Sequence, residues 1–216
     1  MPAAQSVSVS VSKLLIVRHG HVEGIAPERF RGRQDVPLSG IGRRQADAVA
    51  TRIAEEWNPV AIYTSPLIRC VNTGRAISEA CGVTPEPLTL LNDLDYGQWQ
   101  WKTHESVRAH WPEEFESWFK APQSVRIPGG ESLQDLSARI AEALRELLSR
   151  HPDFTIAVVG HESTNRVLLL QLLELPLSAY WRLAQDPCGL SEVDVSKGQV
   201  RVRRINETYH LARISP

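Results

Sequence analysis

Three strand-length apolar runs, residues 14–17, 60–63 and 155–159, are each followed by a segment with helical periodicity, and this alternation limits the fold more than any other feature. After the first run, Ala46, Val49, Ala50, Ile53, Ala54 and Trp57 share one face at helical spacing over 39–57, and Asn58-Pro59 stops the helix. After the second, Thr64-Ser65-Pro66 leads into a predicted helix over 67–80. After the third, Gly160-His161 opens a predicted helix over 163–175 that Pro176 ends. Ahead of the third run, Ser132 with Asp135 resembles a capping box, and Leu133, Leu136, Ile140, Leu144 and Leu147 form an apolar stripe. Strands that alternate with helices pack as a mainly parallel sheet covered on both faces, so the expected class is α/β. Residues 193–195 and 200–202, around Lys197-Gly198, are expected to add a hairpin.

A chain of 216 residues can bury a full core as one domain with an insertion. Residues 98–128 are that insertion, read as a lid: Trp99, Trp101, Trp111, Phe115, Trp118 and Phe119 are interrupted by Pro112, Pro122 and Pro128, and most of the rings are expected to serve packing. Residues 1–12, terminal and Ser-rich, are expected to be a disordered tail, which leaves 13–216 as the domain. Lys+Arg is 24 and Asp+Glu is 25, a formal net charge of -1, so neither nucleic acid nor a membrane surface is implied as a partner and any anion selectivity must be local. No apolar run reaches membrane-spanning length, and the start MPAAQSVSVSVSK lacks the basic and apolar regions of a secretory leader. Cys70, Cys81 and Cys188 are odd in number and lack CxxC spacing, which argues against a disulfide framework or a Cys-rich zinc site and fits a reducing, cytoplasmic setting.

In open α/β sheets, ligands bind beyond the carboxyl ends of the strands. Here Arg18-His19-Gly20 follows the first run, Arg69 follows the second by a short loop, and Gly160-His161 follows the third. Two arginines and two histidines, remote in sequence, would therefore meet at one edge. Guanidinium groups match phosphate oxygens two at a time, and neutral imidazole offers a nucleophilic nitrogen. Nearby positive charge keeps such an imidazole unprotonated. The cluster reads as a phosphoryl-transfer pocket, although any one of these residues taken alone is more often structural.

The segments IVRHG, SPLIRCVNTG, LNDLDYGQW, PGGESL and VVGHESTNR, in this order, resemble the histidine phosphatase superfamily, also called the phosphoglycerate mutase-like family, over about residues 13–175, and INETYHL is similar to the tail of many bacterial members. The resemblance implies a three-layer α/β/α sandwich with a lid inserted over the sheet edge. It implies that His19 is the nucleophile that becomes phosphorylated, that Arg18, Arg69 and His161 complete the phosphate pocket, and that no metal or other cofactor is required. The proton donor of the family is usually Glu, and Asp93 takes its place here. Glu162 is the second choice, similar to the acidic residue of the acid phosphatase and phytase branch, whose RHGxRxP-type opening this chain lacks. Val22 and Ile25 stand where many members carry Thr and Asn, so His21, Arg31 and Arg33 are the alternatives for the missing phosphate hydrogen bonds.

The partner implied is a small phosphorylated metabolite. A homodimer is common among similar proteins but is not derivable from the residues. Phosphoglycerate mutases of the family carry adjacent arginines in the lid, whereas this lid has only scattered Lys102, Arg108, Lys120 and Arg126, so hydrolysis is expected, with alpha-ribazole phosphatase-like and broad-specificity activities among the options. Two other classes compete. His19-x-His21 superficially matches the metal pair of amidohydrolases, but His104, His110, His151 and His210 lack ligand-like contexts. The altered Val22, Ile25 and Asp93 positions also fit a family member that binds phosphate without turnover.

Overall fold

The computed structural model describes residues 11–23, 28–196 and 199–214. Alternation along β1 (Ser12–Arg18) sends Leu14 and Ile16 to one face of the sheet and Leu15 and Val17 to the other. Both sets are buried, as a central strand covered on two sides requires. β1 pairs in parallel with β4 (Thr155–Gly160), and β4 in turn with β2 (Ala61–Thr64). A three-residue strand that the sequence pattern did not announce, β3 (Pro85–Pro87), extends this side as a parallel edge. Its two prolines leave few N–H groups to pair, which suits an edge position. On the other side β5 (Leu190–Ser196) and β6 (Gln199–Glu207) run antiparallel, giving the order β3-β2-β4-β1-β5-β6. The hairpin expected from the valines is present, although the turn proposed at Lys197-Gly198 lies outside the described residues, as do residues 1–10 of the proposed tail. Ser12, assigned to that tail, instead pairs with Val195 and belongs to β1.

Helices α1 (Gly40–Glu56) and α2 (Ile68–Cys81) cover one face with Ala46, Val49, Ile53 and Ile77. Helices α5 (Leu133–Arg150) and α6 (Glu162–Leu172) cover the other with Leu136, Ile140, Leu147 and Val167. The sandwich is therefore α/β/α. The capping box at Ser132 is complete, since Asp135 N–H donates to Ser132 Oγ and the Ser132 N–H donates to Asp135. The last helix ends at Leu172, three residues short of the expected limit, and Glu174 takes a left-handed φ of 54° before Pro176.

Between α2 and α5 the chain forms α3 (His104–His110) and α4 (Pro112–Lys120). Trp99, Phe115 and Trp118 are buried and join the core on the α5–α6 side, with Trp111 packed against it. Packing is thus the main work of these rings, as expected. Trp101 and Phe119 are the exposed exceptions, Phe119 stacked on Trp181 at 5.1 Å. Among the described residues no helix is long and apolar enough to cross a membrane.

The first turn of α1 presses directly on the chain that follows β1. Ser39 Oγ accepts from the Gly42 N–H, and a side chain at Gly42 would place Cβ 2.0 Å from His21 O. Only glycine permits that approach. Gly42→Ala is expected to destabilise the fold by about 1–3 kcal/mol through overpacking. At Gly40 a Cβ would meet nothing nearer than Arg43 Nη2 at 3.9 Å, so Gly40→Ala should stay within about 0.5 kcal/mol. Urea unfolding midpoints of the two variants check the contrast.

Candidate active site

Three strand ends are tied together by backbone bonds. The His19 N–H donates to Gly160 O at 3.0 Å, and the Ser65 N–H donates to Val159 O at 3.0 Å. These bonds bring the residues after β1, β2 and β4 to one point on the sheet edge. His19 is 3% exposed, and its Nδ1 lies 2.7 Å from Gly20 O. A carbonyl can only accept, so Nδ1 carries the proton and the lone pair sits on Nε2. Burial, then the charges of Arg69 and Arg18, hold this imidazole well below its ordinary value of 6.5.

His161 caps the N-terminus of α6 and is fully buried, its ring 5.2 Å from that of His19 at a steep angle of 63°. Arg69 Nε donates to His161 Nδ1 at 3.2 Å, which leaves the other ring nitrogen, Nε2, to donate to Ser65 Oγ at 2.7 Å. Burial, followed by Arg69 and His19, also keeps this ring neutral. The remaining donors of Arg69 reach Gln34 O (2.8 Å), Gly32 O (2.7 Å) and Asp93 Oδ2 (3.2 Å). Arg69 thus fastens His161, Asp93 and the loop after β1 to one another.

Arg18 donates to Gln185 O and pairs with Glu162 at 3.0 Å, while its buried Nε has no hydrogen-bond partner among the described residues. Asp93 accepts from its neighbour's Leu94 N–H at 2.9 Å and stands 3.7 Å from His161 Nδ1. Burial raises its pKa above the ordinary 3.8 even though Arg69 pulls the other way. Glu162 behaves oppositely. Burial pushes it up, but the charges of Arg18, Arg166 and Arg31 outweigh burial and hold it below 4.5. Arg166 Nη1 lies 2.8 Å from Glu162 Oε1, so this carboxylate bridges two guanidiniums.

The PGGESL segment explains how Asp93 is held. Glu131 takes Arg139 Nε at 2.9 Å, Arg33 Nη2 at 3.1 Å and the Asp95 N–H at 3.0 Å. Arg139 then donates to three carbonyls of one loop, Leu90 O, Asn92 O and Asp93 O. The loop that carries Asp93 is thereby clamped by a partly buried ion network.

A cavity of about 370 Å³ opens beside these groups. Arg18, His19, Asp93 and Glu162 line it, whereas Arg69 and His161 stand behind it with their donors engaged by protein atoms. Of the loop residues proposed to replace missing phosphate bonds, Arg31 lines the cavity, Arg33 is committed to Asp95 and Glu131, and His21 meets Ser39 Oγ at 2.8 Å. Val22 is fully buried against the core, and Ile25 lies outside the described residues. Four residues near the site were not singled out from the sequence: Arg166, Ser163, Tyr96 and Tyr180. Arg166 had a signal, four residues after Glu162 on one helix face. The Tyr180 side chain reaches the site from a distant 3-10 segment and had none. Among the described residues no three His, Cys, Asp or Glu side chains group as a metal site.

Residues 14–208 match the histidine phosphatase superfamily (branch 1). Phosphoserine phosphatase 1 of Hydrogenobacter thermophilus is 32% identical over 199 residues, covering 92% of this chain and 94% of that protein. The probable phosphoglycerate mutase GpmB of Yersinia enterocolitica is 34% identical over 186 residues, 84% of each. Among solved structures, the mycobacterial glucosyl-3-phosphoglycerate phosphatase Rv2419c superposes with a TM-score of 0.84 at 25% identity, over 92% of this chain and 100% of that one. Matched along nearly its whole length in sequence, and carrying its histidines at neighbouring strand ends, the chain belongs to the histidine phosphatase superfamily, branch 1.

Proposed function

We propose that the protein is a metal-independent phosphatase that hydrolyses a small phosphomonoester through a phosphohistidine at His19. The observation that carries this reading is the His19 ring itself: proton fixed on Nδ1 by Gly20 O, held neutral by burial and by the charges of Arg69 and Arg18, and at the wall of a cavity. Nε2 attacks phosphorus, the P–N bond forms, and the bond to the leaving oxygen breaks. Arg18 Nε, now without an acceptor, takes one phosphoryl oxygen, and Arg69 Nε exchanges His161 Nδ1 for another. Asp93 gives its proton to the departing alkoxide, then removes one from the water that opens the phosphohistidine. Glu162 suits that role less well, because two arginines hold it as an anion.

Hydrolysis is preferred to mutase transfer on the lid cations. Arg108 lies over Phe115, Lys120 pairs with Glu116, and Arg126 pairs with Asp135. None of them lines the cavity that a transferred phosphoglycerate would occupy. Kinship with named phosphoserine and glucosyl-3-phosphoglycerate phosphatases supports the same reading, and a small phosphorylated metabolite in the reducing cytoplasm is the fitting partner, with all three cysteines unpaired.

Turnover of p-nitrophenyl phosphate should persist in excess EDTA and vanish in His19→Ala, and brief mixing with labelled substrate should leave one acid-labile, base-stable phosphoryl group on the wild-type protein. Loss of activity with chelator, or full activity without His19, defeats the mechanism. Phosphoglycerate interconversion without release of phosphate would instead favour the mutase.

The pH profile carries its own sign. His19, shifted down, stays neutral through mildly acidic pH, and Asp93, shifted up, keeps its proton longer than a free carboxyl. Activity toward alkyl phosphates should therefore fall as pH rises through the Asp93 ionisation. Asp93→Asn should remove that alkaline limb and slow alkyl phosphates about 100-fold or more, with a much smaller effect on p-nitrophenyl phosphate, whose leaving group departs without a proton. Equal slowing of both substrates would assign Asp93 another role.

A further inference from the structure

Among the described residues the cavity takes none of its wall from the tail INETYHL, yet two side chains of that tail end on the loop that grips Arg18. This loop, residues 185–189, holds Arg18 at three points. Arg18 Nη1 donates to Gln185 O, the Arg18 N–H donates to Gly189 O at 3.3 Å, and Arg18 O accepts from the Cys188 N–H at 3.0 Å. The Cys188 N–H also lies 3.3 Å from His19 O, so the nucleophile shares the contact. Pro187, from the same loop, lines the cavity.

The two tail side chains fix the shape of the loop. Cys188 takes a left-handed φ of 56°, which a residue with a side chain keeps only where its surroundings determine it. Asn206 supplies one restraint: its Oδ1 accepts from the Asp186 N–H at 2.7 Å, and its Nδ2 donates to Asp186 Oδ2 at 2.7 Å. The same amide lies against Gly189, where a Cβ would stand 2.2 Å from Asn206 Oδ1. The Asn206 N–H donates to Ser191 Oγ at 3.0 Å, and its φ of 52° is a conformation that Asn tolerates better than most residues. His210 supplies the other restraint. Its Nε2 stands 3.0 Å from Cys188 O, and a carbonyl only accepts, so that nitrogen carries the proton. The anchor of this assembly lies away from the chemistry: Leu211 packs against the core on the α1 side, and Arg204 of β6 pairs with Glu56 of α1 at 3.1 Å.

Arg18 is the residue whose buried Nε awaits an acceptor, and a donor serves a phosphoryl oxygen only within about 3 Å. A displacement of about 1 Å in the loop that aims it is enough to cost much of the rate. Resting on the phosphatase reading above, we propose that Asn206 and His210 are positioning residues: they set loop 185–189 and through it aim Arg18 at the transferring phosphoryl group.

Three substitutions test this. Asn206→Asp keeps the acceptor for the Asp186 N–H but sets a carboxylate oxygen against Asp186 Oδ2. His210→Phe keeps a ring and removes the donor, whereas His210→Gln keeps a donor. Calorimetric affinity for inorganic phosphate should fall about 10-fold in Asn206→Asp and in His210→Phe, and His210→Gln should recover to within about 3-fold of wild type. Values of kcat/KM should fall by a similar factor for p-nitrophenyl and alkyl phosphates alike, because the phosphoryl end is common to both, unlike the substrate-dependent loss expected of Asp93→Asn. Tyr209→Ala, which alters a ring 83% exposed on the same tail, should match wild type. In an Arg18→Met background the tail substitutions should change phosphate affinity by less than about 2-fold, since the residue they act through is gone. Unchanged phosphate affinity in the folded tail variants, with only the urea midpoint lowered, overturns the proposal, as does a full further loss on top of Arg18→Met. Equal losses in His210→Gln and His210→Phe overturn the hydrogen bond to Cys188 as the cause. Phosphate binding needs no turnover, so the expected affinities in a protein that hydrolyses no ester would defeat the phosphatase reading and uphold this one.

Discussion

The hydrogen bond from the His19 N–H to Gly160 O is the contact on which the site depends. It continues the parallel β1–β4 ladder one step past the strands, so that Arg18 sits opposite Gly160 and the two histidines follow side by side. A slip of one residue would turn Arg18 and His19 to opposite faces from those they occupy, because side chains alternate along a strand. The apolar sets Leu14–Ile16 and Leu15–Val17, each buried on its own face, resist such a slip with the full weight of the core. Packing energy far from the chemistry thus sets the geometry of the nucleophile.

Concentrating guanidiniums at a buried edge is unfavourable unless each has acceptors, and an isolated buried charge costs several kcal/mol. The molecule meets this in three ways. Arg69 engages each of its three nitrogens, with two carbonyl groups, an imidazole and a carboxylate. Glu162 serves Arg18 and Arg166 at once. His19 and His161 remain neutral, so the rings add no further positive charge. The same field that keeps His19 unprotonated makes its lone pair available, which joins stability and reactivity in one arrangement. At Asp93 burial outweighs that field and raises the pKa, whereas at Glu162 the arginines outweigh burial and lower it, so the two carboxyl groups of one site are shifted in opposite directions.

The α/β class, the order of the elements and the sheet-end placement of Arg18, His19, Arg69 and His161 were legible in the sequence because each rests on local signals: apolar period, caps, and charged residues just past a strand. The capping box at Ser132 was legible for the same reason. β3 was not, since three residues bounded by prolines carry no period of their own. The roles of Glu131 and Arg139 were hidden because they act across 8 positions on each other and 46 on Asp93.

What the residues alone determined is therefore the set of groups and the edge at which they meet. Period and strand-end position are properties of a few neighbouring residues, and these survive without knowledge of the rest. Tertiary structure alone decided which of those groups face the cavity. Arg18, His19, Asp93 and Glu162 do, Arg69 and His161 stand behind with their donors engaged, and Arg31, one of three equivalent choices in the sequence, lines the pocket while Arg33 is taken by Asp95 and Glu131. That division depends on which acceptors lie within about 3 Å of each guanidinium, and those acceptors come from loops and helices that only the folded chain brings together.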